Sequence, residues 1–292
     1  MTPRRVAVLG DPIAHSKSPA MQGAAFRALG LPHTYEAIRA TAEDLPGLVA
    51  ELREGVFHGF NVTVPHKERV LALADERDES ARVAGAANTL VRAADGWAVA
   101  YNTDAPALAA EIAALLPAGR TLAGARALVL GSGGAARAAI VALGRHLGAG
   151  EIAVRARGFA DGARSRAFAS SAPYPVVTEP WEPRGAGERQ TLVVVQATSA
   201  GMRGADAGES VADVVSWPDL PPHAVALDVV YAPRDTPWLQ AARSRGLAAT
   251  DGLGMLARQG ALALELWLGQ GAAEGDGAVA APLEVMRAAL ER

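Results

Sequence analysis

This sequence of 292 residues is half hydrophobic and carries a formal net charge of −3 at pH 7. Its length suits two ordinary domains, and its balanced charge argues against a nucleic-acid partner, because phosphate binding requires a concentrated basic face. The absence of cysteine excludes disulfides, thiolate catalysis and thiolate metal ligands. The six histidines show no metal-ligand spacing, and no apolar stretch is long enough for a secretion signal or a membrane span. The sequence therefore predicts a soluble, cytoplasmic protein without a metal site.

The first sixty residues predict alternating strands and helices. Residues 5–10 and 33–38 are short apolar runs that are typical of strands. Residues 20–29 and 42–53 have helical patterns, the second with Thr41 as its cap. An α/β fold is therefore expected for this part of the chain.

Two serines lie just ahead of the first predicted helix, in the stretch IAHSKSP. Ser18 followed by Pro19 fits a helix start, with the serine as N-cap and the proline at the first helical position. The hydroxyl groups of Ser16 and Ser18 at a helix N-terminus would also suit a carboxylate ligand. The stretch alone favours neither interpretation.

The stretch NVTVPHK, Asn61 to Lys67, predicts a strand that exits into a ligand site. Valine alternates with polar residues, as in a half-buried strand, and Pro65 ends that strand because it has no amide hydrogen for the sheet. Thr63 and Lys67 thereby place a hydroxyl and an ammonium group at the carboxyl end of the strand, where open α/β sheets bind ligands. A surface lysine at the start of a helix over 68–75 is the alternative.

Two further polar residues flank a predicted hairpin. The pattern predicts a helix at residues 71–85. A hairpin follows, with strands at 86–92 and 97–101 and a turn at 95–96. Asn88 precedes the apolar run of the first hairpin strand, and Asp104 follows the second strand. Taken singly, Asn88 suits a turn and Asp104 suits the N-cap of a helix over 106–116.

The middle of the chain predicts dinucleotide binding. A short apolar strand at 127–130 runs into GSGGAAR, residues 131–137, and then into an alanine-rich helix. Gly131 permits a tight turn, Gly133 lets the backbone approach a pyrophosphate, and Ala136 lets helix and strand pack closely. The helix N-terminus would then face the phosphates.

The strand predicted at 151–154 ends in Arg155, Ala156 and Arg157, without an acidic residue. An NAD-selective site usually carries Asp or Glu at this point for the ribose 2′-hydroxyl, whereas guanidinium groups suit the 2′-phosphate of NADP. The sequence therefore favours NADP, and an ordinary basic loop is the alternative.

The rest of the chain continues the alternation of strands and helices. Strands are predicted at 192–195 and 224–230, and the first exits into the small-residue turn QATSAGM. Two helices follow, the second long, amphipathic and ending at Leu268. A Gly- and Ala-rich tail at 271–279 separates it from a final helix.

Seven of these stretches together resemble the shikimate dehydrogenase family. They occur in that family's order and spacing along the whole chain: IAHSKSP, NVTVPHK, AANT, NTD, GSGGAAR, QATSAGM and DGLGMLARQ. The resemblance implies reversible NADP-dependent reduction of 3-dehydroshikimate to shikimate, in aromatic amino acid biosynthesis. It also implies an α/β substrate-binding domain, residues 1–105 with 254–292, an inserted Rossmann-type NADP-binding domain, residues 106–253, and a cleft between them.

The resemblance also implies roles for individual residues. Lys67 and Asp104 match the catalytic pair, in which the lysine would stabilise charge on the substrate oxygen and donate a proton. Ser16 and Ser18 match the ligands of the substrate carboxylate. The other substrate-binding residues implied are Thr63, Asn88, Tyr231 and Gln259. The residues assigned to the cofactor are Gly131, Ser132, Gly133, Gly134, Ala135, Ala136, Arg155, Arg157, Thr198, Gly252 and Met255.

Two departures from the family's pattern concern the cofactor. Ala156 stands where the family usually has the arginine that faces the 2′-phosphate, so Arg155 or Arg157 would have to replace that arginine. Gln196 stands where the family commonly has asparagine, which is one methylene shorter.

A quinate/shikimate dehydrogenase of dual specificity, using NAD or NADP, is the alternative enzyme. A non-catalytic binding module is the alternative outside enzymes, but such a module would be expected to lose Lys67 or Asp104, and both are present. The sequence predicts a small-molecule substrate and no nucleic-acid or membrane partner. It leaves open whether the protein is a monomer or a homodimer.

Overall fold

The structure, a computed structural model, describes residues 2–202, 205–206, 208–269 and 280–291. The chain forms two compact units, which are Met1–Ala107 with Leu256–Arg292 (the first unit) and Leu108–Met255 (the second unit). Each unit contains helices and a six-stranded sheet, so the predicted α/β class is confirmed. Within the described ranges, no helix combines the length and the apolar character needed to cross a membrane.

The first unit is built around a mixed sheet. Its strands and helices, in chain order up to the passage into the second unit, are β1 (Arg5–Gly10), α1 (Ser18–Ala28), β2 (Thr34–Arg39), α2 (Leu45–Glu54), β3 (Gly59–Val62), α3 (Lys67–Leu73), β4 (Glu76–Arg77), α4 (Glu79–Ala84), β5 (Thr89–Arg92), β6 (Ala98–Tyr101) and α5 (Asp104–Leu115). The strand order is β2-β1-β3-β5-β6-β4. Strand β1 is parallel to both of its neighbours, whereas β5 is antiparallel to β3 and β6.

The two faces of this sheet differ in chemistry. Because side chains alternate along a strand, Phe60, Val62 and Leu90 point to one face, where they pack into a buried apolar core with helix α2. Asn61 and Thr89 point to the opposite face and are paired in register between β3 and β5. The alternation along β3 thus sends Phe60 and Val62 to the core and Asn61 to a separate, polar face.

The second unit is built around a parallel sheet. Its strands and helices in chain order are β7 (Arg126–Leu130), α6 (Gly134–Val141), β8 (Glu151–Arg155), α7 (Gly162–Ser171), β9 (Val177–Glu179), β10 (Thr191–Gln196), α8 (Glu209–Ala212), β11 (Val225–Asp228), α9 (Pro237–Ser244) and β12 (Ala248–Thr250). All neighbouring strands run parallel, in the order β12-β11-β10-β7-β8-β9. Counted from β7, this is the strand order of doubly wound dinucleotide-binding folds.

The strand order of the second unit reverses between β7 and β10. In open parallel sheets, ligands bind beyond the carboxyl ends of the strands at such a reversal. The turn GSGGAAR follows β7, and the turn QATSAGM follows β10. The fold therefore brings the two turns singled out from the sequence to one edge of the sheet.

Two helices near the end of the chain are α10 (Leu253–Gly269) and α11 (Leu283–Leu290). In the first unit, the buried Trp267 of α10 donates through its indole Nε1 to the Leu90 carbonyl at 3.1 Å. Its ring passes directly over Gly59, where a Cβ atom would collide with the indole. The helix can pack this closely on β3 and β5 because β3 begins with glycine. The predicted tail at 271–279 lies outside the described residues.

The single helix predicted at 71–85 is wrong. The backbone amides of Asp75 and Asp78 each donate at 2.9 Å to carbonyls of β6, those of Ala98 and Ala100. These bonds pull the segment into the short strand β4 between two short helices. The helical pattern did not reveal this because the pairing partner lies more than twenty residues further along the chain.

Two local details also differ from the sequence prediction. Thr41 does not cap α2, because Asp44 occupies the N-cap position before Leu45 and accepts bonds from the Thr41 amide and hydroxyl at 2.7 and 2.9 Å. The strand predicted from NVTV ends at Val62, and Val64 is 57% exposed beyond it.

Candidate active site

Lys67 and Asp104 form a close ion pair in the first unit. Lys67 is the first residue of α3 and Asp104 the first residue of α5, so the starts of the two helices bring them together. The Lys67 Nζ donates to Asp104 Oδ2 at 2.6 Å, and the two side chains are 16% and 6% exposed. Opposite charges attract more strongly when they are partly removed from water. The pair therefore holds an ammonium group at a defined position at the exit of β3.

Asn88 fastens the other oxygen of the Asp104 carboxylate. Its Nδ2 donates to Asp104 Oδ1 at 2.9 Å, to Thr103 Oγ1 at 2.9 Å and to Gln259 Oε1 at 3.3 Å. Its Oδ1 accepts from the Thr103 amide at 2.7 Å. Asn88, Asp104 and Gln259 are all buried. Four residues predicted to bind or convert the substrate, Lys67, Asn88, Asp104 and Gln259, thus form one hydrogen-bonded cluster.

The helix-cap interpretation of Asp104 is not what the structure shows. Asn102 supplies the capping bond at the start of α5, because its Oδ1 accepts from the Ala105 amide at 3.1 Å. Both oxygens of Asp104 are directed instead to Lys67 and Asn88. The Asp104 carboxylate therefore does not cap α5, and it holds the Lys67 ammonium group instead.

Ser16 lies in the turn between β1 and α1, and Ser18 lies at the start of α1. Ser18 is the first residue of α1 and Lys17 occupies the cap position, so the N-cap interpretation of Ser18 is wrong. Ser16 Oγ accepts from the Ser18 amide at 3.3 Å, and Ser18 is 6% exposed. Two hydroxyl groups at the N-terminal end of an eleven-residue helix suit an anionic group, since the helix dipole adds partial positive charge there.

Thr63 lies beside this serine-containing turn. Its backbone amide donates to the Leu9 carbonyl at 2.9 Å, and its methyl group lies where a side chain on Gly10 would be, 2.5 Å from the position of a Cβ atom. Glycine at the end of β1 is thus required for Thr63 to pack there. The hydroxyl of Thr63 is thereby located at the carboxyl ends of β1 and β3.

Asn61 belongs to the same cluster, although it was not among the predicted site residues. Its Nδ2 donates to the Asn88 carbonyl at 3.3 Å and to Thr89 Oγ1 at 3.2 Å. Its Oδ1 accepts from the Tyr35 hydroxyl at 2.8 Å. The signal in the sequence was the two-residue spacing from Thr63, which places both side chains on the polar face of the strand.

The glycine-rich turn of the second unit has the geometry of a phosphate cradle. Gly131 has φ of +115°, a conformation that favours glycine, and a Cβ atom there would lie 3.0 Å from the Ala197 carbonyl oxygen. At Gly133, no described atom lies within 4 Å of the Cβ position, so the backbone is open to a ligand. Ala136 is fully buried in the helix–strand contact. Ser132 completes the turn, and Gly134 and Ala135 are the first two residues of α6. These features fit a pyrophosphate group.

Gln196 organises the second turn at this edge. Its Oε1 accepts from the Thr198 amide, and its Nε2 donates to the Ala200 carbonyl at 3.1 Å and to Asp228 Oδ1 at 3.2 Å. The side chain thus ties its own turn to the neighbouring strand β11. The methyl group of Thr198 approaches to 3.0 Å from the Cβ position of Gly131. The longer side chain of Gln196, compared with asparagine, is therefore accommodated by bonds within the turn and across the sheet.

Asp228 is a buried carboxylate at the end of β11. It accepts from the Val230 amide at 2.9 Å and from the Thr236 hydroxyl at 2.6 Å. Burial raises the pKa of Asp228 to about 6, because the charged form is poorly solvated, and the nearby Asp251 adds to the rise. The bonds from Thr236 and Val230 oppose this rise without cancelling it.

The structure contradicts the cofactor role predicted for Arg155. This residue belongs to β8 and is fully buried. Its guanidinium donates to Glu179 at 2.8 Å, to Glu188 at 2.6 and 3.2 Å, and to the Val214 carbonyl at 2.7 Å. A guanidinium with these buried acceptors is not accessible to a phosphate group. Arg155 instead joins β8 to β9 and to the segment that precedes β10.

Arg157 is placed very differently, although it lies only two residues further on. Its side chain is 74% exposed and pairs with Asp206 at 2.7 Å, whose side chain is 59% exposed. An exposed ion pair of this kind contributes only about 0–1 kcal/mol. The guanidinium of Arg157 can therefore exchange Asp206 for a phosphate at little cost, whereas Ala156 between the two arginines is buried and apolar.

The remaining predicted site residues lie in the second unit. Tyr231 follows β11 and is partly buried, which raises the pKa of its phenol and keeps it protonated. Gly252 donates its amide to the Val230 carbonyl at 3.1 Å, and a Cβ atom there would collide with the Val229 carbonyl. Met255 is buried in the first turn of α10. The Gly252–Val230 bond thus joins the segment after β12 to the segment after β11.

Comparison with known sequences identifies relatives over almost the whole chain. The sequence model of the shikimate dehydrogenase substrate binding domain matches residues 8–90. The shikimate dehydrogenase (NADP(+)) of Methylobacterium radiotolerans is 42% identical over 269 residues, which is 92% of this chain and 92% of that protein. The shikimate dehydrogenase (NADP(+)) of a Synechocystis species is 38% identical over 288 residues, or 97% and 93% of the two chains.

Solved structures resemble the whole chain as well. The shikimate 5-dehydrogenase of Thermus thermophilus, in complex with NADP(H) and shikimate, is similar with a TM-score of 0.79 and 36% identity, covering 99% of both chains. The ligand-free 5-ketofructose reductase of a Gluconobacter species is similar with a TM-score of 0.83 and 29% identity, covering 100% of this chain and 99% of that chain.

Proposed function

This chain belongs to the shikimate dehydrogenase family, and we propose that it catalyses the reversible NADPH-dependent reduction of 3-dehydroshikimate to shikimate. The observation that carries the proposal is the Lys67–Asp104 ion pair, fastened by Asn88 in a buried polar cluster. In this role the enzyme supplies shikimate for aromatic amino acid biosynthesis. We assign substrate binding to the first unit and NADPH binding to the second.

The proposed chemistry depends on the ammonium group of Lys67. NADPH, when bound, supplies the hydride that reduces the ketone carbon. As negative charge develops on the ketone oxygen, the Lys67 ammonium stabilises that charge and transfers one proton to the oxygen, which yields the product hydroxyl. Asp104 keeps the Lys67 ammonium group oriented towards the ketone oxygen, because one carboxylate oxygen accepts from Lys67 and the other accepts from Asn88. In the reverse direction, neutral Lys67 accepts the proton from the substrate hydroxyl.

The proposed substrate contacts divide between two groups of residues. Ser16 and Ser18, at the start of α1, would bind the carboxylate, which benefits from the helix N-terminus. The hydroxyls of the ring would bind to polar groups of the buried cluster and its neighbours, which are Thr63, Asn88, Asp104 and Gln259. Tyr231 is proposed to contact the ring from the segment after β11.

The proposed cofactor contacts are mainly made by backbone groups. The turn at 131–136 would bind the pyrophosphate through amides at the N-terminus of α6. Arg157 is the proposed partner of the 2′-phosphate, because its guanidinium is exposed and only weakly engaged by Asp206. Thr198, Gly252 and Met255 are proposed to contact the nicotinamide half of the cofactor.

Two other substrates are alternatives. A dual-specificity enzyme would also accept quinate, which carries a carboxylate as shikimate does. The likeness to the 5-ketofructose reductase favours a neutral ketose as the second candidate substrate. Ser16 and Ser18 weigh against the ketose, because a neutral sugar would leave their anion-binding environment without a ligand.

The proposal is tested by measuring kcat/KM on purified protein. Shikimate and quinate are oxidised with NADP or NAD, and 5-ketofructose is reduced with NADPH. The Lys67→Ala variant, purified in parallel from the same host, measures any contaminating host dehydrogenase. We expect high activity only with shikimate and NADP. Comparable activity with quinate or NAD would indicate dual specificity, activity with the ketose alone would support the second candidate, and inactivity throughout would favour a binding module.

A further inference from the structure

Asp228 is a buried carboxylate that the proposed reaction does not use. It is the last residue of β11, and its side chain is fully buried. Burying an ionisable group is costly unless its oxygens are hydrogen-bonded, and three donors converge on this carboxylate. They are the side-chain amide of Gln196, the backbone amide of Val230 and the hydroxyl of Thr236. Asp228 thereby joins three segments at the carboxyl edge of the parallel sheet.

Gln196 connects Asp228 to a turn of the proposed cofactor site. The two residues are partners in register at the ends of β10 and β11, so their side chains meet across the two strands. The Gln196 Nε2 donates to Asp228 Oδ1 at 3.2 Å and to the Ala200 carbonyl at 3.1 Å. Its Oε1 accepts from the Thr198 backbone amide. Both ends of the Gln196 amide group are thus engaged.

The partners of this amide group fix its orientation. The Ala200 carbonyl and the Asp228 carboxylate can only accept, and the Thr198 backbone amide can only donate. A flipped Gln196 would place its oxygen against two acceptors and its NH₂ group against a donor. Without the carboxylate, one amide hydrogen of Gln196 would lose its buried partner, and only bonds within the turn would hold the side chain. Asp228 therefore fixes the position of Gln196 relative to β11.

The turn that Gln196 holds packs directly on the glycine-rich turn. The Ala197 amide donates to the Leu130 carbonyl at 2.9 Å, at the end of β7. The Ala197 carbonyl oxygen and the Thr198 methyl group each lie 3.0 Å from the Cβ position of Gly131. Closely packed atoms transmit small displacements. A shift of Ala197 or Thr198 would therefore reach the backbone that is proposed to bind the pyrophosphate.

We propose that Asp228 is a positioning residue for the cofactor, which acts through Gln196 to hold Ala197 and Thr198 against the glycine-rich turn. The turn then has its binding conformation before NADPH arrives, and this pre-organisation lowers the entropic cost of binding. The inference rests on the proposed function, because it concerns the proposed NADP site.

The test removes the bond between Asp228 and Gln196 from either end. Asp228→Leu and Gln196→Met keep the approximate size of each side chain and remove its polar atoms. Asp228→Asn is the conservative variant, because its amide oxygen can still accept from Gln196. Thr236→Val is the matched control, because it removes a different donor to the same carboxylate. The Kd for NADPH, the Kd for shikimate and the melting temperature are measured for the wild type and all four variants.

We expect Asp228→Leu and Gln196→Met to raise the Kd for NADPH by about 5- to 50-fold, because buried polar groups of the turn lose their partners. The Kd for shikimate should stay within about twofold, since most of its proposed ligands lie in the first unit. Asp228→Asn and Thr236→Val should bind NADPH within about twofold of the wild type.

The control separates a positioning role from a merely structural one. Thr236→Val should lower the melting temperature, because Asp228 Oδ2 and the Leu239 amide each lose a buried partner. A merely structural role of Asp228 would likewise lower the melting temperature of Asp228→Leu. The positioning role predicts in addition that NADPH binding weakens in Asp228→Leu and not in Thr236→Val.

A double-mutant cycle identifies Gln196 as the group through which Asp228 acts. If it does, Asp228→Leu should add less than about twofold to the NADPH Kd of Gln196→Met. If Asp228→Leu does not fold, the comparison of Gln196→Met with Thr236→Val decides, and weaker NADPH binding in the first variant alone is the expected result.

Three outcomes overturn the inference. One is an unchanged NADPH Kd in Gln196→Met, and another is a loss in Asp228→Asn or Thr236→Val equal to that in Asp228→Leu. The third is full additivity of the Asp228→Leu and Gln196→Met effects. In each of these cases the wild type still binds NADPH and oxidises shikimate, so the proposed function survives. A wild type that neither binds NADPH nor oxidises shikimate overturns both proposals together.

Discussion

The proposed sites of the two units are built from different chemical groups, side chains in the first unit and backbone in the second. In the first unit the site consists of side chains, with the Lys67 ammonium, the Asp104 carboxylate and the Asn88 amide bonded to one another. In the second unit it consists of backbone, with Gly131 in a left-handed conformation and Gly133 open above the start of α6. The first site depends on particular polar side chains, whereas the second depends largely on glycines, which have no side chain.

This difference determines what each site tolerates. A side-chain cluster loses function when any single member is changed, because buried polar partners are then left unpaired. A backbone cradle tolerates changes of side-chain chemistry but not of size, because an added Cβ fills the space of a neighbouring carbonyl or of the ligand. Variants in the two units should therefore separate catalysis, stability and cofactor binding.

The largest effect is expected from Lys67→Ala. Loss of the ammonium group should lower kcat for shikimate oxidation by about 10²- to 10⁴-fold, the usual contribution of a general acid–base group. The Kd for NADPH, measured by fluorescence titration, should stay unchanged because the second unit is intact. A variant with more than about a tenth of wild-type kcat would remove Lys67 from the mechanism.

Arg155→Met should have the largest effect on stability. It leaves Glu188 buried without its guanidinium partner, so the free energy of unfolding should fall by about 3–5 kcal/mol. Arg157→Met is the matched control, because its exposed pair with Asp206 contributes only about 0–1 kcal/mol. Denaturant unfolding measures both values. Equal losses in the two variants would contradict the different placement of the two arginines.

Two glycine variants should separate folding from ligand binding in the second unit. Gly131→Ala should lower the free energy of unfolding by about 1–3 kcal/mol, because alanine is strained at this φ and meets the Ala197 carbonyl. Gly133→Ala should leave stability nearly unchanged. Both should weaken NADPH binding by at least about tenfold, as measured by titration. Unimpaired binding in Gly133→Ala would argue against a pyrophosphate at this turn.

Arg157→Met should also reveal how cofactor selectivity is achieved without an arginine at position 156. Loss of a charge-assisted bond to the 2′-phosphate should lower kcat/KM with NADP by about tenfold and leave kcat/KM with NAD unchanged. The introduction of arginine by Ala156→Arg provides the opposite test. If NADP and NAD are affected equally by Arg157→Met, a different residue must contact the 2′-phosphate.

The smallest effect concerns the dependence of stability on pH, which should have opposite signs in the two units. In the second unit, the pKa of Asp228 is raised to about 6 by burial. Its stabilising contribution is complete below the unfolded value of 3.8 and is lost as the pH rises through about 6. In the first unit, burial lowers the pKa of His58 from 6.5 to about 4. Its contribution is complete above 6.5 and is lost as the pH falls towards 4.

Acidification from about pH 6.5 to about pH 4 should therefore stabilise the second unit and destabilise the first, each by about 1–2 kcal/mol after allowance for solvent screening. Hydrogen exchange followed separately in the two sheets measures this. Asp228→Asn should abolish the gain in the second unit, and His58→Gln should abolish the loss in the first. A change of the same sign in both units would show that other groups dominate.

Local patterns were sufficient for much of the fold and for part of the site. The strand at 5–10 was predicted with the bounds that the structure has, and the glycine-rich turn was placed correctly between β7 and α6. Lys67 and Asp104 each lie between a predicted strand and a predicted helix, and the family resemblance implied that they form a pair. Such features depend on neighbours within a few residues, so a sequence reveals them directly.

Long-range partners could not be predicted in the same way. Arg155 was expected to bind the cofactor because it ends a strand, but Glu179 and Glu188, which lie 24 and 33 positions away, engage it in the interior. Tyr35 and Asn61 meet across an intervening strand, and a strand formed within the helix predicted at 71–85.

The sequence by itself determined the α/β class, the strand-ending motifs and the chemical types available at each turn, because periodicity and glycine stereochemistry are local properties of the chain. The tertiary structure decided which charges pair and which stay accessible, because desolvation and hydrogen bonding depend on groups that only the packed fold brings together. Arginine is thus a buried residue with structural ion pairs at position 155 and an exposed cation at position 157.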